Sequence, residues 1–386
     1  MQSRERTEGA AMKTNLRHAA GSLLVVGLSG TELTALERAW LRLVRPAGVI
    51  LFRRNIADAT QTRKLLNEAT ALCAPHAFRC VDLEGGTVDR LRDALAPMPS
   101  AQAVAIAARA IVPRSQKRDL GHPAGLAREH GELVARAVKA FGFNTTLAPV
   151  LDLALPESAA VMGSRAAGAT AEEVIDYARN FLAGLATQNV AGCGKHFPGL
   201  GGGTLDSHVD TPAIHRSMRE LNREDLMPYF ELRNELPMVM VNHAAYPETP
   251  SKNTPASASP YWISTVLRKR IGYNGIIFSD DLEMGGILKF MSIEEAAITA
   301  IQAGMSLIEI CHSPELILRA YEALIAEAER SAAFSKLILA RAKQTSYQRA
   351  MLFASGVPTA LTTRQFESLR KQILRFAETV KEAQTT

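Results

Sequence analysis

Short apolar runs alternate along this chain with longer stretches in which apolar residues recur every three or four positions. Eight runs have strand character: LLVVGL (23–28), GVILF (48–52), FRCVDL (78–83), TTLAPVLDL (145–153), AGCGKHF (191–197), MVMVNHAA (238–245), GIIFSDDL (275–282) and SLIEI (306–310). Each is too short for a helix, and Gly or Pro often marks its edges. Between them lie amphipathic helical patterns, such as ELTALERAWLRLV (32–44), ATQTRKLLNEATAL (59–72), AREHGELVARAVKAF (127–141), TAEEVIDYARNFLAGLAT (170–187) and SIEEAAITAIQAG (292–304). Strands that read as buried on both faces, separated by helices, imply parallel pairing. Eight such units predict an α/β fold, a (β/α)8 TIM-like barrel. A doubly wound open sheet is the second choice.

The rest of the chain fits around that barrel. Residues 1–21 read as a polar N-terminal extension, and 22–386 as a single catalytic domain. From about residue 313 only helices are expected, broken at SGVPTALTT (355–363) and wrapping the barrel. The Pro- and Gly-bearing connection 109–125 reads as a surface excursion.

Composition narrows the class. Apolar residues make up 47% of the 386, enough for a large core, and the net charge is +5. The basic residues are dispersed, so no nucleic-acid stripe is indicated, and the one dense patch, RSQKR (114–118), reads as a solvated loop. Four cysteines, Cys73, Cys80, Cys193 and Cys311, form no CxxC pair and read as buried free thiols in a reducing compartment. The run GSLLVVGLSG (21–30) is too short for a membrane span and reads as a first strand. A cytoplasmic protein is expected, with Met12 as an alternative start.

Barrel enzymes build their sites at the C-terminal ends of the strands. Polar residues gather at those ends here: Asp82 and Glu84, Asp152 leading to Arg165, Lys195 and His196, Asn242 and His243, and Asp280 with Asp281. Five polar strand ends in register indicate a site. Each residue also has a plainer use. Asp152 fits a helix cap as well as a substrate contact. Glu84 fits an arginine partner, and His243 fits a satisfied core histidine. Alternation predicts that Asp280 and Asp281 point to opposite faces. Lys195 has no comfortable plain use, because a lysine at the end of a buried strand needs a partner or a ligand.

The stretch KHFPGLGGGTLDSH (195–208) sets two histidines and an aspartate around four glycines. It is not a P-loop, since no G-K-[ST] follows. A metal site would need His196, Asp206 and His208 to converge, with two of them on a flexible loop. Asp206 beside His208 has another use: a carboxylate fixes an imidazole's tautomer and makes it a general acid/base near neutral pH. The glycines would let that pair swing over a bound substrate.

These residues resemble a known family. KHFPGLGGGTLDSH, DLEGGTVDRLR (82–92), APVLDL (148–153), GSRAAG (163–168) and GIIFSDDLEM (275–284) look like the motifs of family 3 glycoside hydrolases, in particular the bacterial β-N-acetylglucosaminidases of the NagZ type. The resemblance runs over about residues 22–312, in the order of the barrel strands. It implies Asp280 as nucleophile, His208 as acid/base and Asp206 as its orienting partner. It implies Asp82, Arg90, Arg165, Lys195 and His196 as the residues that bind the terminal sugar. It implies a small carbohydrate or muropeptide substrate, with no cofactor, no metal, no nucleic acid and no membrane partner. Four positions depart from the family pattern: Leu200 stands for a second His, Leu83 for a Gln, Thr87 for an Arg, and Ser164 for a Glu. They spare the nucleophile and the Asp–His pair. They motivate an impaired sugar-binding homologue as a rival reading; the others are a β-N-acetylglucosaminide phosphorylase, since a neutral histidine tolerates phosphate, and a metal hydrolase using His196, Asp206 and His208.

Overall fold

The computed structural model describes residues 15–111, 124–203 and 212–385. Eight parallel strands close into a barrel. In chain order they are β1 (Leu24–Gly27), β2 (Gly48–Leu51), β3 (Phe78–Val81), β6 (Thr145–Thr146), β7 (Ala191–Phe197), β8 (Met238–Val241), β9 (Ile276–Asp281) and β10 (Leu307–Ile310). The remaining two, β4 (Leu83–Gly85) and β5 (Val88–Asp89), form an antiparallel hairpin on the rim. The barrel closes where β1 pairs with both β2 and β10. LVVG, GVIL and MVMV are buried along their whole length, because helices cover the outside while side chains fill the inside.

Capping explains the helix boundaries. Thr34, Thr170, Ser217 and Ser292 each accept from the third residue of the following helix, whose Glu side chain returns the bond. The helices therefore start at Ala35, Ala171, Met218 and Ile293.

The expected strand 145–153 pairs as a strand only at Thr145–Thr146, with one further bridge between Val150 and Lys195. Pro149 has no N–H to continue the ladder. The hairpin β4–β5 was not expected. Gly86, at φ 61°, and Thr87 make its turn; Gly85 leads into it at φ 92°, where a Cβ would lie 1.9 Å from the Pro99 carbonyl oxygen. Residues 15–21, assigned to the polar extension by sequence, are helical, with Leu16 and Ala20 buried. RSQKR and most of the 109–125 connection lie outside the described residues.

The barrel interior is apolar from the bottom to just below the upper rim: Phe78, Cys80, Leu147, Cys193, Met240, Phe278 and Leu307. The helix Ala332–Leu352 ends under this stack. Phe353, which follows it, meets Phe78 edge-on at 5.1 Å, and Arg349 donates to the Ala47 carbonyl at 3.1 Å. The C-terminal helices thus close the lower mouth as well as packing outside. All four cysteines are buried free thiols. Among the described residues no helix is long and apolar enough to cross a membrane.

Candidate active site

The upper mouth opens into a pocket of about 200 Å³ lined by Asp82, Arg90, Arg165, Lys195, His196 and Asp280. Six sequence-selected residues from four barrel segments therefore meet in one place. Asp206 and His208 lie outside the described residues. Both ends of the segment that carries them are anchored, however. Leu200 lines the pocket and donates its N–H to Asp152 Oδ1 at 2.7 Å. On the far side Ala245 donates to the Pro212 carbonyl and Ile214 to that of Ala245, both at 2.8 Å. Gly199, at φ 137°, begins the turn, and a Cβ there would meet Asp225 at 2.8 Å.

One wall is an ion-pair network. Lys195 Nζ lies 2.9 Å from Asp82 Oδ1 and 2.6 Å from Glu84 Oε1. Arg165 grips Glu84 with two bonds of 2.8 Å, and Arg90 reaches Asp82 at 3.4 Å. The partner that a buried lysine needs is thus a carboxylate pair. Burial alone would favour the uncharged forms of Asp82, Glu84 and Lys195. Arg165 and Lys195 overcome it at Glu84, and Lys195 and Arg90 at Asp82, so both carboxyls stay below their usual range. Burial likewise opposes the Lys195 charge, but Asp82 and Glu84 hold its pKa above the ordinary value.

Asp152 is neither a helix cap nor part of the pocket lining. It accepts from His196 Nδ1 at 2.6 Å, from the His196 backbone N–H at 3.2 Å and from Leu200. Arg165 Nη2 sits 3.4 Å from His196 Nε2. A guanidinium only donates, so Nε2 accepts and Nδ1 carries the proton given to Asp152. Asp152 therefore orients the imidazole and ties down the loop entrance together. Asp152→Ala leaves two backbone N–H groups and one ring N–H without this acceptor, and the expected cost is about 2–3 kcal/mol. Urea unfolding checks it, and an unchanged midpoint would remove Asp152 from this role.

His243 is a satisfied core histidine. Ser257 Oγ lies 2.7 Å from its Nδ1, and its Nε2 donates to the Asp281 carbonyl at 3.0 Å. Asn242 is buried and donates to the His196 carbonyl at 2.9 Å.

Asp280 and Asp281 do not point to opposite faces: both line the pocket. The pairing of β9 with β10 shifts register between Leu307 and Glu309, so alternation fails at the end of the strand. Asp280 accepts from the Asp281 N–H at 3.0 Å. Asp281 accepts from Glu283 at 3.0 Å and Cys311 at 3.2 Å. Burial pushes the Asp281 carboxyl up to about 7; Glu283 and Asp280 add to the shift, and the bonds from Glu283 and Cys311 oppose it. The native state thus keeps a proton that the unfolded chain releases near pH 4. Stability should fall as pH rises from about 4 through 7, then level off. Asp281→Asn removes this slope. In denaturant unfolding it should match the wild type near pH 4 and gain up to about 4 kcal/mol near pH 8.

Two further side chains, Phe52 and His312, complete the rim. Phe52 stacks on His312 at 5.4 Å, and the Arg54 guanidinium lies 4.7 Å over the Phe52 ring. Their strand-end positions were the available signal. Of the departures from the family pattern, Leu200 lines the pocket, Thr87 is exposed on the hairpin turn, and Ser164 lies beside Gly86. The metal reading rests on Asp206 and His208, outside the described residues; among the described residues no three His, Cys, Asp or Glu side chains converge as a metal site.

The pocket carries five carboxyl groups (Asp82, Glu84, Asp280, Asp281, Glu309) against Arg90, Arg165 and Lys195. Such a site suits a neutral ligand rich in hydroxyls, and a transition state that gains positive charge.

Comparison with known proteins agrees with this chemistry. The model of the glycosyl hydrolase family 3 N-terminal domain matches residues 15–342. The beta-hexosaminidase of Idiomarina loihiensis is 35% identical over 289 residues, covering 75% of this chain and 83% of that relative. The beta-hexosaminidase of Pseudomonas aeruginosa is 36% identical over 304 residues, covering 78% and 86%. Among solved structures, a family 3 beta-N-acetylglucosaminidase from Paenibacillus superimposes with a TM-score of 0.80 at 30% identity, covering 93% of this chain and 68% of that one. Native NagZ from Neisseria gonorrhoeae gives 0.67 at 30% identity, covering 84% and 97%. The pocket therefore lies at the upper mouth of a family 3 barrel, and this chain belongs to glycosyl hydrolase family 3 and is a glycoside hydrolase.

Proposed function

We propose that the chain is a cytoplasmic, retaining exo-β-N-acetylglucosaminidase that removes terminal N-acetylglucosamine from muropeptides during cell-wall recycling. One observation carries this reading: Asp280 stands at the end of β9 in the same small pocket as the Lys195–Asp82–Glu84 network. The relatives named beta-hexosaminidase and the likeness to NagZ support the choice of sugar.

The proposed reaction uses Asp280, His208 and Asp206. Asp280 attacks the anomeric carbon while protonated His208, held by Asp206, gives its proton to the departing oxygen. The C–O bond to the aglycone breaks and an ester to Asp280 forms. His208, now neutral, takes a proton from water. The water oxygen displaces Asp280, and the sugar leaves with its β configuration, as in retaining hydrolysis with imidazole replacing the second carboxyl. Asp82, Lys195, Arg90, Arg165 and His196 bind the sugar hydroxyls and hold the ring, with charge-assisted bonds supplying the orientation.

The test is turnover of an aryl β-N-acetylglucosaminide against the aryl β-glucoside, with the first-formed anomer read by NMR. Strong preference for the first substrate and a β product are expected. A first-formed α anomer sinks the retaining scheme. A sugar 1-phosphate appearing on addition of phosphate would make the enzyme a phosphorylase.

A further inference from the structure

The floor of the pocket holds one residue that the proposed reaction does not use. Glu309 lies on β10, where its neighbours of the same parity, Leu307 and Cys311, belong to the apolar barrel interior. It is 2% exposed and lines the pocket, yet its Oε1 has no hydrogen-bond partner. Beneath the rim the interior is otherwise Cys80, Cys193, Met240 and Phe278. A leucine would fill that layer without burying an unsatisfied oxygen, so packing does not explain a carboxyl there.

We propose that Glu309 is a sugar-contacting residue of this pocket, its carboxyl forming the floor and hydrogen-bonding a hydroxyl of the ring seated against Lys195 and Asp280. The inference rests on the glycosidase reading above and adds a binding group to it. Groups from three strands face the carboxyl: Asp82 and Cys80 on the β3 side, Lys195 and Cys193 on β7, and Asp280 and Asp281 on β9, with Cys311 just beyond β10 itself. Burial first, and then the three aspartates, hold it protonated well above the usual carboxylate range; Lys195 opposes this but is already bonded to Asp82 and Glu84. A protonated carboxyl offers one donor and acceptor oxygens together. That is the complement of a sugar hydroxyl, which also gives and takes. It adds no charge beside Asp280, so the nucleophile can stay ionised.

The test uses the full chain, with N-acetylglucosamine binding by calorimetry and turnover of the aryl N-acetylglucosaminide. Glu309→Gln keeps a neutral donor and acceptor and should hold affinity within about threefold. Glu309→Leu should lose about tenfold in both affinity and kcat/KM while melting at or above the wild-type temperature, since an unsatisfied buried carboxyl is gone. Infrared spectra of the free protein near pH 8, where Asp281 is largely ionised, should show protonated-carboxyl intensity that falls in Glu309→Gln. Wild-type affinity should weaken at alkaline pH as Glu309 ionises, and the Gln variant should not share that loss.

Glu309→Leu with wild-type binding and turnover would overturn the proposal and leave the glycosidase reading intact. A folded Glu309→Gln as impaired as Glu309→Leu, or no infrared change, would overturn the protonated carboxyl. A wild type that neither binds nor cleaves the sugar would overturn the functional reading and the contact together.

Discussion

Asp280→Asn should release aryl leaving groups from the N-acetylglucosaminide roughly 10⁴-fold more slowly than the wild type, or worse, with its melting temperature nearly unchanged. The asparagine keeps the shape of the side chain and an oxygen to accept the Asp281 N–H, which now sits at 3.0 Å. It does not keep a nucleophile, because an amide oxygen attacks an anomeric carbon poorly and cannot leave as a carboxylate. Azide supplies a second readout. It can enter where the carboxylate was, form the bond to the anomeric carbon, and leave an α-glycosyl azide as the aryl group departs. Recovery of that product places Asp280 on the attacked face. Near wild-type turnover in Asp280→Asn would move the nucleophile elsewhere, and Asp281, which lines the same pocket, would be the next residue to test.

The contrast between those two aspartates shows what a sequence can and cannot tell. The eight apolar runs were legible because each strand is buried on both faces, so burial appears directly as composition. The site was legible as a position because polar residues at the ends of such runs have few other uses. The direction of each side chain was not. Alternation separated Asp280 from Asp281, but β9 takes three steps from Phe278 to Asp281 where β10 takes two from Leu307 to Glu309, a mismatch between strands that no local pattern records. Asp152 was visible as a polar strand end, but its work on His196 and Leu200 depends on a contact across 44 and 48 residues. Phe52 reads as one more apolar residue of GVILF and His312 stands beyond SLIEI, so their stacking across the barrel mouth leaves no local pattern. Glu309 did leave a signal: a single carboxyl inside SLIEI, at the parity of buried Leu307.

Lys195→Met tests the wall opposite the chemistry, and here stability and activity should fail together. The methionine fills much of the lysine's volume but leaves two buried carboxylates without their shared cation. The loss falls unevenly. Glu84 keeps both bonds to Arg165, whereas Asp82 keeps only the 3.4 Å contact with Arg90. Breaking a buried pair in this way costs about 3–5 kcal/mol, a large part of the ~5–15 kcal/mol that holds a typical domain together. Asp82→Asn in the same chain should restore much of it, and Glu84→Gln much less, because only Asp82 is stranded.

The pH dependence gives the sign. In the wild type both carboxyls are held below their ordinary values, so their contribution is fully present above about pH 4 and is lost as pH falls further. Without Lys195, burial lifts Asp82 above its ordinary value, and the native state then binds the extra proton. The stability gap between variant and wild type should therefore widen as pH rises from about 4 to 6 and narrow in acid. Activity should drop about 10²-fold in kcat/KM through the lost charge-assisted bond to the sugar, even in chains still folded at low temperature. A variant as stable as the wild type near pH 7 would mean that Asp82 and Glu84 do not depend on Lys195, and the electrostatic account of this wall would fail with it.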